Sequence, residues 1–244
     1  MNNGDKLQII NVETEDRLVN TNYRDEYKYT ERLYDSIYEF KKGKSYGILS
    51  EIGEGGGGLS WLLSGREEVR NECINVFGKR YTNGNKIDEG WWVCEGIEKC
   101  PKTVRKQINF ALKNGRKELT IDDIISEFGL TKERLDSKFE QYSWESWRVS
   151  VAIGYALGKE IFCFPWLNEE QLKQIVLNTG YFFYTDKLKQ RDGVILLPSN
   201  NRKILEAMTD EIIEIHNPVF REMKMFNEYI DMYKKKKLWY QLGE

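Results

Sequence analysis

The sequence predicts an α/β fold in which a parallel sheet carries helices, with an antiparallel β subdomain ahead of it and a helical subdomain inserted into it. Three observations predict this class. A glycine-rich stretch, residues 53–58, joins a short apolar run to a helix start. Further along, short apolar runs alternate with segments of helical period. From Thr103 the pattern becomes helical before that alternation resumes, which marks the insertion.

Composition limits the function classes. The chain has 244 residues, of which 40% are hydrophobic and 31% are charged, so one sizeable core is expected. A formal net charge of −2 gives no basic field for nucleic acid. No apolar run approaches the ~20 residues that span a bilayer, and the polar start MNNGDK is unlike a signal peptide. These features predict a cytosolic protein that does not bind nucleic acid.

Apolar alternation predicts the strands of the first part of the chain. Leu7–Glu13 and Leu33–Phe40 are expected strands joined by a polar, tyrosine-rich connection, and Ser45–Leu49 is an expected buried strand. Two more strand segments, 72–81 and 86–96, are expected around a turn at Asn83-Gly84.

Helical spacing dominates the remainder of the chain. The expected helices cover 103–115, 120–129, 144–158 and 168–180 and begin again at 201, with strands at 160–167 and 193–199. Thr120 is suited to cap its helix. Asp122-Asp123 and Glu169-Glu170 lie at helix starts, where carboxylates complement the helix dipole, so catalysis is not needed to explain them. A helical tail is expected at 220–244; its four lysines at 234–237 predict a solvated face, with anionic lipid as the alternative contact.

The glycine loop, defined as Gly53–Gly58, has the composition of a phosphate-binding loop. Such a loop directs backbone N–H groups at phosphate oxygens and adds a helix N-terminus, a lysine charge and a hydroxyl. The residues concerned are Gly53, Gly56, Gly57, Gly58, Leu59 and Ser60. Leu59 stands where the lysine is needed, so affinity for a triphosphate is expected to suffer. A flexible linker is the alternative, but the strand-like SYGIL before the loop and WLLSG after it favour a degenerate phosphate loop.

In the order and spacing of its parts, the chain resembles the nucleotide-binding (ATPase) subunit of an ABC transporter over about residues 7–218. LYDSIYEFKKGKSYGILSEIGEGGGGLSWLLSG resembles the strand, turn, Walker A loop and helix of that family, and VRNECINVFGKRY resembles its antiparallel strands. WVCEG resembles the Q-loop segment, and TVRKQINFAL the helical subdomain. The signature helix is matched by ISEFGLTKERLDSKFEQYSWESWRVSVAIGYALG, which puts Arg148 at the family's arginine. EIFCFPWL and VILLPSNN resemble the Walker B and switch strands.

The resemblance implies a P-loop ABC-ATPase-like core spanning residues 1–219, with a helical subdomain at about 101–155. It also implies catalytic positions that this chain fills with unsuitable residues. Pro165 and Trp166 stand at the Walker B positions, and neither can bind a metal or accept a proton. Ser199 stands at the switch-histidine position and Glu95 at the Q-loop glutamine. No metal site is expected.

The signature motif departs from the family in the same way. Its small residues let backbone amides approach a γ-phosphate on the opposing subunit, whereas here Tyr142, Ser143 and Trp144 hold those places and only Glu145 is retained. Trp144 is expected to block that approach. Trp144 and Trp147 share a helical face, which favours core or interface anchoring over base stacking.

Other residues with chemical potential have simpler interpretations. Cys73, Cys94, Cys100 and Cys163 lack paired CxxC spacing, so reduced structural cysteines are favoured over zinc ligands or disulfides. His216 is the only histidine, and we interpret it as a structural loop residue.

Two sets of aromatic residues are assigned by the resemblance. Tyr23, Tyr27 and Tyr29 lie where the family stacks an aromatic ring on adenine, with solvated surface positions as the equal alternative.

The cleft that receives a coupling helix of the membrane protein corresponds to the neighbourhood of Glu95, Ile97 and Lys102–Phe110. Trp91 or Trp92 is expected to contribute there wherever one of them is exposed.

The resemblance and its departures together predict a non-catalytic (pseudo-ATPase) ABC transporter subunit. They imply a membrane transporter subunit and a second, active ATPase subunit as partners, with a heterodimer favoured over a homodimer, at the inner face of the cell membrane. ATP binding is expected to be weak, and Mg²⁺ is not expected. One alternative is a soluble scaffold or regulatory protein that reuses the fold without nucleotide. An active P-loop enzyme with substitute residues is the least favoured alternative.

Overall fold

The computed structural model describes residues 8–23, 27–97, 103–143, 145–215 and 230–231. Cys100, Lys102, Trp144 and His216, for which the sequence analysis gives interpretations, lie outside the described residues. Of the predicted tail helix, only residues 230–231 are described, and they are helical.

Apart from the helical residues 230–231 and two short 3₁₀ helices, the described part of the chain contains eleven strands and seven α-helices. The strands are β1 (Ile9–Thr14), β2 (Arg17–Tyr23), β3 (Tyr27–Leu33), β4 (Ser36–Lys41), β5 (Ser45–Leu49), β6 (Cys73–Val76), β7 (Lys79–Tyr81), β8 (Gly90–Trp92), β9 (Ile161–Cys163), β10 (Val194–Ser199) and β11 (Glu211–Glu214). The helices are α1 (Gly56–Leu63), α2 (Val104–Asn114), α3 (Ile121–Phe128), α4 (Ser146–Ala156), α5 (Glu169–Thr179), α6 (Tyr181–Gln190) and α7 (Arg202–Met208).

A five-stranded parallel sheet forms the core, in the order β11-β5-β10-β9-β8. Every residue of β10 is buried, as expected for a central strand that is covered on both faces. The register places Leu49 opposite Ser199, so the carboxyl ends of β5 and β10 lie side by side. Ligand sites of open α/β sheets form at this edge, and the glycine loop leaves β5 there.

A second, four-stranded antiparallel sheet has the order β4-β1-β6-β7. β1 pairs with β4 on one side and β6 on the other, and its Ile10 and Val12 are buried. Together with the parallel sheet and its helices, this arrangement confirms the predicted fold class.

The polar connection expected between β1 and β4 forms a hairpin of two strands, which the sequence did not predict. β2 and β3 pair antiparallel, from Arg17 opposite Leu33 to Tyr23 opposite Tyr27. Both strands contact α1, and the buried face of the hairpin includes Val19, Glu31 and Leu33. Because that face contains a glutamate and the other face is polar, the apolar alternation that marks a half-buried strand is weak.

Two further expectations need correction. Segment 86–96 was expected to pair near segment 72–81, but β8 joins the parallel sheet, with Gly90 opposite Ile161, beyond the correctly predicted turn at Asn83-Gly84. The second correction is helix α6, which sequence periodicity did not reveal because three aromatic residues in succession open it.

The inserted segment contains α2, α3 and α4, and local capping explains where two of the helices of the chain begin. The Thr120 hydroxyl accepts the N–H of Asp123, whose carboxylate accepts the Thr120 N–H in return. Asn168 and Gln171 form the same reciprocal cap on α5. These contacts confirm the capping role expected for Thr120. In the described part of the chain, no helix has the length and apolar character needed to cross a membrane.

Trp91 and Trp92 are both buried, so neither supplies the exposed aromatic anchor that the sequence left open. The Trp91 indole donates to the hydroxyl of Ser150 on α4 at 3.1 Å. Gly154, one helical turn further along α4, lies directly against the Trp91 ring. This contact joins the inserted helices to β8 at the edge of the parallel sheet.

Replacing Gly154 with alanine is expected to destabilise the protein by about 1–3 kcal/mol, although alanine favours a helix more than glycine does. The added Cβ would lie 2.5 Å from the buried Trp91 ring. Urea denaturation measures the loss. Asn109→Ala, on the exposed face of α2, is the control and is expected to stay within about 0.5 kcal/mol of wild type. Equal stability of wild type and Gly154→Ala would contradict this packing.

Candidate functional site: a glycine loop with an internal carboxyl group

The glycine loop turns sharply from β5 into α1. Gly53 and Gly55 have φ angles of 85° and 96°, which only glycine adopts without strain, and Gly55 is the N-cap of α1. No side chain of the loop itself caps the helix. The loop therefore directs backbone N–H groups and the positive end of a helix dipole at one point, as a phosphate-binding loop does.

The side chain of Glu31, on β3, lies at that point. Its carboxyl oxygens accept the N–H of Gly55 at 2.9 Å and the N–H of Gly53 at 3.2 Å. The backbone N–H groups of Gly57 and Gly58 also lower the pKa of this carboxyl group. Glu31 is completely buried. The glycine loop thus surrounds an acidic group that belongs to the chain itself.

Backbone contacts hold β3 against the loop. The N–H of Arg32 donates to the carbonyl of Gly53 at 3.0 Å, which extends the pairing of β3 beyond its own hairpin. A Cβ at Gly55 would lie 2.4 Å from the carbonyl oxygen of Arg32, and one at Gly57 would lie 2.9 Å from a carboxyl oxygen of Glu31. The glycines are therefore required here for close packing of the hairpin, in addition to their φ angles.

Burial raises the pKa of Glu31, and the backbone hydrogen bonds from the loop lower it by less. Desolvation dominates because the carboxyl group is excluded from water while its partners are neutral peptide N–H groups.

Leu59 and Ser60, the next two residues of α1, both point into the protein. Leu59 is completely buried in the hydrophobic core, so the position expected for a lysine carries no charge and faces no solvent. The Ser60 hydroxyl is equally buried and donates to the carbonyl of Phe164 at 2.5 Å. The sequence predicts that a phosphate-binding loop would offer this hydroxyl to a metal ion. In the structure it instead connects α1 to the residue after β9.

Pro165 and Trp166 follow β9 at the same edge of the sheet. Pro165 is buried, and the Trp166 indole N–H donates to the backbone carbonyl of Ser50 at 3.0 Å. A Cβ on Gly57 would lie 3.4 Å from the Cβ of Trp166, so this residue packs beside the glycine loop. Neither side chain offers an oxygen ligand, as expected from the sequence.

Ser199 ends β10 and is completely buried. Its hydroxyl accepts the N–H of Asn201 at 3.4 Å, an interaction that remains within the turn into α7. The neighbouring Ser50 hydroxyl, which lies against Gly56, is buried without a hydrogen-bond partner.

Glu95, at the Q-loop position, forms an ion pair with Arg66 in the segment after α1. Its backbone carbonyl accepts the Ser150 hydroxyl at 2.6 Å. These contacts connect the segment after α1, the segment after β8 and helix α4.

The residues at the signature positions also make internal contacts. Tyr142 is buried, its hydroxyl donates to the Arg134 carbonyl, and burial raises its pKa to about 12. Ser143 is exposed, and its carbonyl accepts the Ser146 hydroxyl at 2.6 Å. The effect expected of Trp144 stays a prediction, since that residue lies outside the described ranges.

Glu145 is the centre of a polar cluster at the start of α4. It forms ion pairs with Arg134 and with Arg148, the latter at 2.9 Å, and accepts the Thr131 hydroxyl at 3.1 Å. Arg148, which the resemblance places at the family's arginine, is thus fixed by a neighbour on its own helix.

The residues at this edge do not fit a bound Mg²⁺ and triphosphate in the observed conformation. Glu31 takes the loop N–H groups that a phosphate needs, and the Ser60 hydroxyl is bonded internally. Among the described residues, no group of three or more His, Cys, Asp or Glu side chains could hold a metal ion. Weak ATP binding, as expected from the sequence, stays a prediction.

The structure describes some of the cysteine and tyrosine residues that the sequence analysis singled out. Cys73, Cys94 and Cys163 form no disulfide; Cys94 and Cys163 are buried, and Cys73 is exposed. Burial raises the pKa of Cys163. Tyr29, on β3, is half-buried; the structure does not describe the side chains of Tyr23 and Tyr27.

Glu31 is the residue of this site that sequence reasoning missed. It lies in the polar stretch EYKYTERL, where one of two glutamates among other charged residues gives no signal of burial. The β3 register decides its role, because it places Glu31 on the same face as Leu33 and towards α1.

Three solved structures that resemble this fold are described as an ATP-binding subunit, a part of an ABC transporter complex and an ATP-binding cassette. One, described as the ATP-binding subunit of an ABC transporter, is 16% identical with a TM-score of 0.57, covering 85% of this chain and 86% of that chain. CbiO1 from Clostridium perfringens, part of the ABC transporter complex CbiONQ, is 17% identical with a TM-score of 0.57 and coverages of 85% and 84%. The ATP-binding cassette MJ0796, a dimer bound to ADP and Pi, is 11% identical with a TM-score of 0.58 and coverages of 84% and 94%.

No protein-family model matches the sequence, and no curated protein matches it. The chain has the fold of ABC transporter ATP-binding subunits over most of its length, which confirms at the level of fold the resemblance found in the sequence. At these identities the likeness concerns the fold.

The free energy of unfolding of wild type, relative to Glu31→Gln, is expected to fall as the pH rises from 4.5, the ordinary pKa of a glutamate. The raised pKa means that the folded protein holds this proton more tightly than the unfolded chain, so stability is lost as the proton leaves the folded state. Above the folded-state pKa the difference becomes constant. Urea unfolding of both proteins at a series of pH values measures it. A wild type that gained stability over this interval would show that the N–H groups outweigh desolvation.

Proposed function

We propose that this chain is a non-catalytic subunit of the ABC transporter type, which pairs with an active ATPase subunit and couples to a membrane component. One observation carries the proposal. Beside the glycine loop, where the family needs a metal ligand and a group that activates water, Trp166 presents an indole whose N–H is bonded to the Ser50 carbonyl. A side chain fixed in this way neither holds Mg²⁺ nor accepts a proton.

The internal bond of Ser60 supports the same conclusion. Its hydroxyl would have to leave the Phe164 carbonyl, at 2.5 Å, before it could contact a metal ion. Leu59 adds no positive charge because it is buried in the core. Phosphoryl transfer depends on charge stabilisation by lysine and metal, so these residues account for an inactive site.

The proposed partners come from the resembled architecture. One solved neighbour is part of the complex CbiONQ, and another is dimeric. By analogy, we propose a membrane transporter subunit, a second ATPase subunit in a heterodimer, and a location at the inner face of the cell membrane.

The surface proposed to receive the membrane component includes Ile97 and Phe110. Ile97 is half-buried, and its N–H donates to the Gln107 side chain at 2.8 Å, which fixes it beside α2. Phe110, on the same helix, is 45% exposed. Arg105 pairs with both oxygens of Asp136 at 2.9 and 3.2 Å, so reversing its charge would also disturb an internal contact.

The second candidate is a scaffold or regulatory protein that uses the fold without nucleotide. The position of Glu31 favours it, because the N–H groups that would hold a phosphate are already bonded to the chain's own carboxyl group. The two candidates differ in their partners. Gentle extraction that retains a membrane protein supports the first, and a lone soluble protein supports the second.

Purified wild type is expected to release no phosphate from Mg·ATP above the level of a Trp166→Ala variant, because Trp166 contributes no metal ligand or base. Leu59→Lys is expected to remain equally inactive, since it adds one charge and leaves Pro165 and Trp166 unchanged. A phosphate-release assay checks both statements. Turnover by wild type that disappears in Trp166→Ala would refute the non-catalytic assignment.

Ile97→Asp and Phe110→Asp are each expected to reduce co-purification with a membrane partner at least tenfold, because a charge in a desolvated groove loses hydration without gaining a pair. Leu177→Asp is the control; Leu177 is 76% exposed and lies on α5. Affinity-tag recovery from membranes measures association, and thermal melting verifies folding. Undiminished recovery of both folded variants would remove this surface and favour the scaffold candidate.

A further inference from the structure

A carboxyl group of the chain itself, that of Glu31, lies in the glycine loop. Phosphate-binding loops hold their ligand with converging backbone N–H groups at a helix N-terminus. Here the N–H groups of Gly53 and Gly55 donate to separate oxygens of Glu31. A Cβ on Gly57 or Gly58 would lie 2.9 or 3.0 Å from the Glu31 side chain, so the first turn of the helix also packs against it. A carboxyl group and a phosphate both present oxygen acceptors, so one can substitute for the other.

Ion pairs attach the hairpin that carries Glu31 to the core at the start of β2. Arg17, at the start of β2, pairs with Glu72 and, at 3.0 Å, with Glu67; both glutamates lie in the segment after α1. Arg32, next to Glu31, pairs with Asp16 at 2.6 Å within the hairpin region. Glu72 is buried, so the Arg17–Glu72 pair is a fixed contact at the base of the hairpin.

Apolar packing closes the same interface. Val19 and Leu33 are buried, one on each strand of the hairpin, and both lie within 4 Å of where a Cβ on Gly58 would stand. The Cβ of Glu31 would be 3.0 Å from that atom. The hairpin therefore packs directly on the first turn of α1, where a nucleotide's phosphates would need space.

Leu59, at the position where a phosphate-binding loop has a lysine, agrees with a carboxyl group as the ligand of the loop. The end of a triphosphate carries several negative charges and requires a compensating cation, whereas a carboxyl group carries at most one. Leu59, buried beneath the loop, is compatible with an acidic group held by neutral N–H donors and a helix dipole.

We infer that Glu31 is the permanent occupant of the glycine loop: its carboxyl group replaces a nucleotide phosphate, fixes the loop in its ligand-holding shape, and excludes nucleoside triphosphates from this site. The inference deepens the proposed function and rests on it, because a loop that retains its own acceptor cannot take part in hydrolysis.

Removing the carboxyl group tests this assignment. In Glu31→Ala the loop N–H groups lose their acceptor, so the melting temperature is expected to fall by about 2–12 °C. Formate or inorganic phosphate, compared with chloride at equal ionic strength, is expected to restore part of that loss by binding the vacated loop in the folded state. Wild type and Glu31→Gln, in which a side chain of the same shape still fills the loop, are expected to show no such anion-specific rise.

Nucleotide binding tests the exclusion directly. Wild type is expected to show no change in melting temperature or in calorimetric heat with ATP, whether or not Mg²⁺ is present. An ATP-dependent stabilisation of wild type, or a folded Glu31→Ala whose melting temperature is unchanged and insensitive to formate and phosphate, would overturn the inference.

A second measurement covers the case in which Glu31→Ala does not fold. In wild type, the amide resonances of Gly53 and Gly55 are expected to move together with pH as Glu31 titrates, and to lose that movement in Glu31→Gln. If the Gly53 and Gly55 amide resonances of wild type do not respond to pH, the Glu31 carboxyl group does not lie in the glycine loop. ATP binding without hydrolysis would refute this inference alone, whereas hydrolysis would also refute the proposed function.

Discussion

The hydrogen bonds between Glu31 and the glycine loop connect the β2–β3 hairpin to the parallel sheet, with which it shares no strand pairing. The loop follows β5 of the parallel core, and Glu31 belongs to the β2–β3 hairpin. Buried backbone N–H groups need acceptors, and in this loop the helix start supplies none. The carboxyl group satisfies that requirement, and the close approach of β3 to Gly55 and Gly57 follows from it. Without an acceptor at this point, the observed packing of the hairpin on α1 would leave donors buried and unpaired.

Two polar side chains beside this loop form hydrogen bonds within the protein. Ser60 donates to Phe164, and Trp166 donates to Ser50, both through contacts with backbone carbonyls. These contacts stabilise the edge of the sheet where α/β proteins ordinarily bind a ligand. A residue whose hydrogen-bonding capacity is used within the fold has less to offer a substrate. The structure at this edge is therefore that of a packed interior, and this is the physical basis for proposing a non-catalytic role.

Polar contacts connect the subdomains to one another. Arg66 and Glu95 link the segment after α1 to the segment after β8, and Ser150 links that segment to α4. At the other end of the inserted region, Glu145 holds Arg134 and Arg148 together. Ion pairs and hydrogen bonds of this kind can transmit a displacement from a partner without any nucleotide chemistry, which agrees with a subunit that couples or restrains motion.

The sequence by itself determined the parallel core, most helices and the cap at Thr120, because apolar period and capping are local signals. It also predicts that Leu59, Pro165 and Trp166 are unsuitable for catalysis, since that prediction needs only side-chain chemistry. Only the tertiary structure decided that residues 17–33 form a hairpin, that both Trp91 and Trp92 are buried, and that Glu31 fills the glycine loop. Glu31 lies more than twenty residues before the loop it occupies, and its neighbours in sequence are polar. The pairing of β3 with β2, and the packing of both on α1, bring the carboxyl group to the N–H donors, and no local pattern encodes that juxtaposition.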